Sequence, residues 1–261
     1  RGVHLRAWPS GMIVGVGSAS LMAAVVFGTS VLSGVFGMAG GMILLGVLLL
    51  LMDVAPAMVL FGLIQLVANG WRTWLWRAHV TWRIVAGYGA GALVSFGLMK
   101  FVAFLPDKAT VYILLGALPF LASRLPPTLA PDINRRGAPF LCGLGLMVVQ
   151  LLAGATGSIL DLFFNRSDLD RKQIVATKAA TQVVSHLLRV AYFGTFASAL
   201  GDLPDAWLLG ALALCSMLGT TAAASILHRM SDQGFRRWSR VLIHAISAFY
   251  VLHGVWLLLV A

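Results

Sequence analysis

Seven polar residues stand in apolar surroundings at spacings that put them on two helix faces. Lys178, Gln182, His186 and Arg189 fall at i, i+4, i+8 and i+11, along one face of a helix. Gln65, Asn69 and Arg72 fall at i, i+4 and i+7, again along one face. Both stripes carry cations and amides, and neither carries a carboxylate. Arg and Lys donate charge-assisted hydrogen bonds, and Gln and Asn donate neutral ones. A set of this kind recognises a small anion such as sulfite, a sulfonate or a carboxylate.

Each residue also has a plainer reading. Arg72 stands among Trp71, Trp74 and Arg77, where an interfacial arginine snorkels. Lys178 lies close enough to the start of its helix to reach the membrane face. His186 either bonds a neighbouring helix or couples to protons. Gln65 and Gln182 either bind substrate or bridge helices. Arg189 is the deepest cation, and cations inside a membrane are costly and usually functional. Asp161 has three possible partners, namely Lys178, Arg166 or a helix N-terminus. Asp53 and Asp170 read as caps of the helices that follow them.

Two glycine-rich stretches are the other candidate contributors. Ser33–Gly41 reads SGVFGMAGG, and each glycine inside a helix costs about 1 kcal/mol relative to alanine. Such a run suits a break in a helix at membrane depth, where freed N–H groups can face a ligand. Its counterpart is AGATGS at Ala153–Ser158. Gly37, Gly40 and Gly41 in the first stretch, with Thr156, Gly157 and Ser158 in the second, are therefore candidate substrate-binding positions.

The elements that must position these groups follow from composition. Of 261 residues, 59% are hydrophobic and 11% charged, far below the roughly 25% charged of soluble domains. Several apolar runs reach the roughly 20 residues that cross a bilayer as a helix. Pervasive glycine argues against the alternating pattern of a β-barrel. The chain reads as an all-α polytopic membrane protein whose surroundings are the lipid bilayer. Its net charge of +10 sits mostly at segment ends, which the positive-inside rule explains without nucleic acid. Cys142 and Cys215 lie in apolar runs without metal-ligand spacing, so no metal or other cofactor is expected. The sequence leaves the oligomeric state open.

Spans are expected at Gly11–Leu32, Met42–Met52, Met58–Trp76, Ile84–Phe104 and Ala109–Leu121. After a Pro- and Arg-rich linker they resume at Ala138–Leu160, Ile174–Leu200, Ala206–Leu227 and Val241–Ala261. Asp161–Lys172 reads as a polar hinge and His228–Arg240 as a basic loop.

An offset of 117 residues aligns the two halves without a gap. Gly28 then falls on Gly145, Gly37 on Gly154, Gly40 on Gly157, Asp53 on Asp170, Gln65 on Gln182 and Arg72 on Arg189. The organisation is a first membrane repeat over 1–123, a linker over 124–137 and a second repeat over 138–261. The loop carrying Arg77 and Arg83 is basic, whereas its counterpart carries only Asp202 and Asp205. The linker, the hinge and the 228–240 loop are basic too. Linker and hinge share the cytoplasmic side only if Ala138–Leu160 makes two short passes or one re-entrant hairpin. Two inverted repeats of about five transmembrane or re-entrant helices each follow, with glycine-broken hairpins and both termini outside. Inverted repeats are typical of secondary transporters, with the substrate at the repeat interface.

SGVFGMAGGMILL resembles the first signature of the TauE/SafE sulfite exporter family. The similarity continues through Gln65, Asn69, the Trp- and Arg-rich patch at 71–83 and the second glycine cluster, across nearly the whole chain. In that second cluster Thr156 and Ser158 stand where the resemblance would lead one to expect glycines. The resemblance implies a duplicated membrane domain of a bacterial inner membrane that moves sulfur-containing anions or organic acids, commonly outward. It implies export of sulfite, sulfoacetate or a related organosulfonate by alternating access, with an anion channel or a small-carboxylate transporter as alternatives. An enzyme would need a nucleophile with its base or a metal cluster, and the scattered histidines offer neither.

Overall fold

In a computed structural model of the chain, the described residues are 16–36, 38–126, 131–164, 166–196, 203–229 and 232–260. They form α-helices and connecting turns, with no strand among them. The helices are α1 Val16–Phe36, α2 Met38–Leu51, α3 Val54–Leu75, α4 Trp82–Val102 and α5 Lys108–Arg124. The second half contributes α6 Ala138–Ala153, α7 Gly157–Phe164, α8 Arg171–Phe193, α9 Ala206–Arg229 and α10 Asp232–Val260. Five described helices are long and apolar enough to cross a membrane, namely α1, α3, α4, α9 and α10. α8 has the length, at 23 residues, but its polar stripe lowers its apolar character.

Both glycine clusters sit where the chain reverses. A Cβ on Gly40 would run into the Thr29 carbonyl and Ser33 of α1, so α2 folds back against the helix it follows. Only glycine permits backbones to approach so closely. The second reversal is at Gly154, which has φ +82° and ends α6 in the left-handed conformation that glycine adopts without strain. Its N–H donates to the Gln150 carbonyl at 3.1 Å. Ile133, before α6, donates its N–H to the Phe163 carbonyl near the end of α7 at 3.2 Å. The segment therefore enters and returns at one end of the bundle. With eight residues, α7 is about 12 Å long, too short for a core of about 30 Å. The segment is a pair of helices, the 16-residue α6 followed by the short α7.

Helix directions follow from paired contacts. Gly62 of α3 lies against Arg189 and Val190 near the end of α8, while Thr81, just past α3, donates its N–H to Thr177 Oγ1 near the start of α8. These two helices are therefore antiparallel. α3 runs parallel to α9, through Ser216 to the Ile64 carbonyl and Trp71 to Thr221. α4 runs parallel to α8, through Tyr88–Ser185 at 2.6 Å and Tyr192 to the Met99 carbonyl. α1 packs along α9 and α4 along α6, with Gly34, Gly219, Gly91 and Gly143 at the contacts. Small residues at such contacts substitute close packing for a hydrophobic drive that lipid does not supply.

α3 is the centre of the bundle. In its apolar window 72% of residues are buried, against 17–33% in the other four long apolar helices. Arg83 donates to the Asn134 carbonyl at 3.1 Å, which gathers the Arg77–Arg83 turn, the linker and the start of α8 at one basic end. At the opposite end Lys108 pairs with Asp53 at 3.3 Å.

Two helix starts, those of α3 and α10, depart clearly from the apolar runs. α3 begins at Val54, four residues before its apolar run, with Pro56 in the first turn as expected. α10 begins at Asp232, inside the basic segment read as a loop. Lys, Arg and Gln are good helix formers, so a charge run marks a membrane edge and not a helix end. Asp170 is a full cap, accepting from the Gln173 N–H at 2.9 Å while Gln173 Oε1 accepts from the Asp170 N–H at 3.0 Å. Asp53 occupies the N-cap position of α3 but makes no side-chain cap bond, because its carboxylate is turned to Lys108.

Candidate anion site

The two polar stripes meet. A cavity of about 410 Å³ lies between α3 and α8, lined also by the end of α1, the Gly154 bend, the start of α7 and Ser239 and Ile243 of α10. α3 contributes Gln65, Asn69 and Arg72, and α8 contributes Lys178, Gln182 and His186. Gly41 of α2 and Thr156 and Gly157 of the second bend complete the predicted positions on its wall. The lining runs from Arg171 and Ser239, near the basic end, to Gly154 and His186 inside.

Three of the described predicted positions do not line the cavity. Arg189 lies behind the second bend, Gly40 is used in the α1–α2 contact, and the Ser158 hydroxyl is buried without a partner among the described residues. Gly37 lies outside the described residues.

Chemically, the wall is a field of donors. Arg72, Arg171 and Lys178 face it as cations, and Asp161 is the one acid on the wall among the described residues. Asp161 is ion-paired with Lys178, one of its three possible partners. Arg72 makes no hydrogen bond or ion pair through its guanidinium to a described residue. Gln182 Nε2, His186 Nδ1 and Gln150 Nε2 are buried and have no partner among the described residues. Buried polar groups are rarely left unpaired, so the two amide nitrogens have capacity for an acceptor in the cavity and the imidazole nitrogen for a polar partner. Asn69 spends one amide hydrogen on the Gln65 carbonyl at 2.9 Å. A Cβ on Gly41 would come within 2.9 Å of Gln65 Nε2, so a larger residue there would push that amide aside.

Arg189 is fully buried. Its Nη2 donates to the carbonyls of Gln150, at 3.1 Å, and Gly154, and its guanidinium lies 4.8 Å over the Phe61 ring. Phe61 in turn meets His186 edge-on, with ring centroids 5.7 Å apart. The residue therefore caps the carbonyl end of α6, where unpaired C=O groups carry partial negative charge. Its Nε and Nη1 have no partner among the described residues.

Gln150 was missed in the sequence. It is the one amide in the apolar run Ala138–Leu160, which was the available signal. Thr156 donates to its Oε1 at 2.9 Å, so its Nε2 is held as a donor. Among the described residues, no group of three or more His, Cys, Asp and Glu is placed to hold a metal ion.

The family model described as "Sulfite exporter TauE/SafE" matches residues 21–250, nearly the whole chain. No curated protein and no solved structure matches the chain.

Proposed function

The chain belongs to the sulfite exporter TauE/SafE family, and from that premise we propose a secondary transporter that exports a sulfur-containing anion, such as sulfite, sulfoacetate or a related organosulfonate, across a bacterial inner membrane by alternating access. The observation that carries this reading is the convergence of Gln65, Asn69 and Arg72 with Lys178, Gln182 and His186 on one cavity. Three cations, two unspent buried amide donors and a single neutralised acid give a wall suited to anions. A cavity of about 410 Å³ exceeds what a four-atom oxyanion fills, which leaves room for an organic tail or water.

Alternating access draws on the repeats. The antiparallel pair α3 and α8, with α9 parallel to α3 and α4 parallel to α8, supports an inverted relation between the halves. With the basic end cytoplasmic, the cavity faces the cytoplasm and both termini lie outside. Efflux of an anion from a negative interior runs downhill electrically, so a coupled proton is unnecessary.

The test is a binding screen of purified protein with sulfite, thiosulfate, sulfoacetate, taurine and small carboxylates, repeated on Gln65→Ala and Gln182→Ala. Sulfur anions should bind best, and each variant should weaken the best ligand about tenfold, the cost of one hydrogen bond to a charged group. Wild-type affinity in both variants would remove the site. Saturable exchange in liposomes supports the carrier, and single-channel currents would make the protein an anion channel instead.

A further inference from the structure

Arg72 and Arg189 occupy equivalent positions in the two halves, yet the structure uses them differently. Arg189 caps the end of α6 at the Gln150 and Gly154 carbonyls. Shifted by the repeat offset, Gln150 corresponds to Ser33, near the end of α1. Arg72 lines the cavity together with Ser33, Gly34, Val35 and Phe36, but its guanidinium bonds to no described residue. One arginine is engaged at its bend, and its counterpart is released into the cavity beside the other bend.

We infer that Arg72 and Arg189 are paired positioning residues that exchange roles during transport, each capping the carbonyl end of its own hairpin when the cavity is shut on that side. The inference rests on the carrier reading above. In the conformation described here, Arg189 pins the second bend and closes the cavity away from the basic end. The anion competes with the α1 carbonyls for Arg72 on the open side. In the opposite conformation Arg72 caps α1 at Ser33, and Arg189 is released to the other vestibule.

Two observations favour an exchange over a permanent structural cap. Arg189 is bonded through one of its three guanidinium nitrogens, and the other two lie buried without partners among the described residues. A guanidinium held so incompletely in low dielectric is poised to gain bonds on release. The contacts that hold it, a helix-end carbonyl pair and the Phe61 ring, belong to α6 and α3, so freeing it unlocks one hairpin from the central helix.

The experiment measures sidedness. In a background lacking Cys142 and Cys215, Ala155→Cys places a thiol on the cavity wall at the second bend. Its labelling by a membrane-impermeant maleimide is followed from each side of oriented vesicles, beside sulfite exchange. Arg189→Ala should shift the external-to-cytoplasmic labelling ratio upward about tenfold. Arg72→Ala should shift it downward and abolish exchange, and the double variant should return the ratio toward wild type. A structural cap alone would not give opposite shifts or their cancellation. Arg72→Ala stands by itself if Arg189→Ala yields no monodisperse protein, because a ratio unchanged or raised in that variant overturns the exchange. Equal shifts in the same direction from both single variants overturn it as well. If wild type shows saturable exchange while the variants leave the ratio fixed, the carrier reading stands and the exchange falls. If wild type shows channel currents, both fall together.

Discussion

Lys178 of α8 is ion-paired with Asp161 of α7, so the returning arm of the second hairpin is clipped to the polar stripe inside the cavity. The pair is partly exposed and faces the space where the anion is proposed to bind. Lys178 is thus a cation already half-spent, and Asp161 is an acid tolerated among donors because it is neutralised in place.

The first prediction follows from that pair. Lys178→Ala leaves the Asp161 carboxylate facing an incoming anion, and should weaken binding about tenfold or more, the scale of one charge-assisted hydrogen bond. Asp161→Asn frees the ammonium and should tighten binding severalfold while slowing release. Calorimetric titration with sulfite over the two single variants and the double variant yields the coupling energy. Equal affinity in wild type and Asp161→Asn would show that the pair is bystander structure.

A second prediction concerns the bend. Gly154 has φ +82°, and a Cβ there would collide with Leu45 and approach Met58. Gly154→Ala should lower stability by about 2 kcal/mol or more, summing a left-handed backbone cost of about 1–2 kcal/mol with a clash. Gly145→Ala is the control, since nothing lies within 4 Å of a Cβ there, and it should be neutral or slightly stabilising. Thermal unfolding in detergent compares them.

How far the sequence reached is clearest at these same positions. The 117-residue offset placed Gly154 opposite Gly37, and the basic linker and hinge led to the expectation of an even number of passes through 138–160. That argument needed no contact information. The two polar stripes were legible for the same reason, since helix periodicity alone puts i, i+4 and i+8 on one face. Depth was not legible. Spacing aligned Arg189 with His186 and Gln182, but whether a residue at the end of the stripe reaches the cavity depends on where the α6 carbonyls end. Gln150 escaped because it stands alone on its helix, and a single polar residue generates no stripe. Asp53 was read as a cap because capping is a local signal, whereas Lys108, which takes its carboxylate, is 55 residues away.

Caps supply a third prediction. Asp170→Ala removes the carboxylate half of a capping box at the start of α8, leaving the residue 170 N–H to donate to Gln173, and should cost about 1 kcal/mol. Asp53→Ala removes an exposed ion pair and no cap bond, and should cost well under 1 kcal/mol. Unfolding midpoints of the two variants at one pH rank them, and the reverse order would contradict the assignments.

A fourth uses pH. Asp107 caps α5, accepting from the Thr110 N–H at 2.9 Å and its hydroxyl at 2.7 Å. The Thr110 N–H, followed by its hydroxyl, holds the Asp107 carboxyl below its ordinary pKa of 3.8. A carboxyl lowered in the folded state binds fewer protons there than in the unfolded chain. Its contribution is therefore complete above the unfolded value and fades as pH falls from about 4 through the lower, folded pKa. Asp107→Asn should flatten that part of the stability profile while leaving values near pH 7 slightly reduced. An unchanged slope between pH 5 and 2 would place the dependence elsewhere.

The last prediction concerns orientation. Arg83 and Asn134 lie at one end of the bundle, and Asp53 and Lys108 at the other. α9 runs parallel to α3, which puts Asp205, just before α9, at the Asp53 end. By loop charge the Arg83 end is cytoplasmic. In the cysteine-free background, Arg83→Cys should label from the cytoplasmic side of intact cells only after permeabilisation. Asp205→Cys should label without it. Both positions are exposed, so slow access does not confuse the result. Because Asp205 belongs to the second half and lies after α8, its labelling from outside requires α8 to leave the membrane on the side where α3 enters. Labelling of both cysteines from one side would contradict the antiparallel pairing of α3 and α8, and with it the inverted repeat. Labelling of both from opposite sides, but with Arg83→Cys outside, would keep the repeat and turn the cavity to face outward.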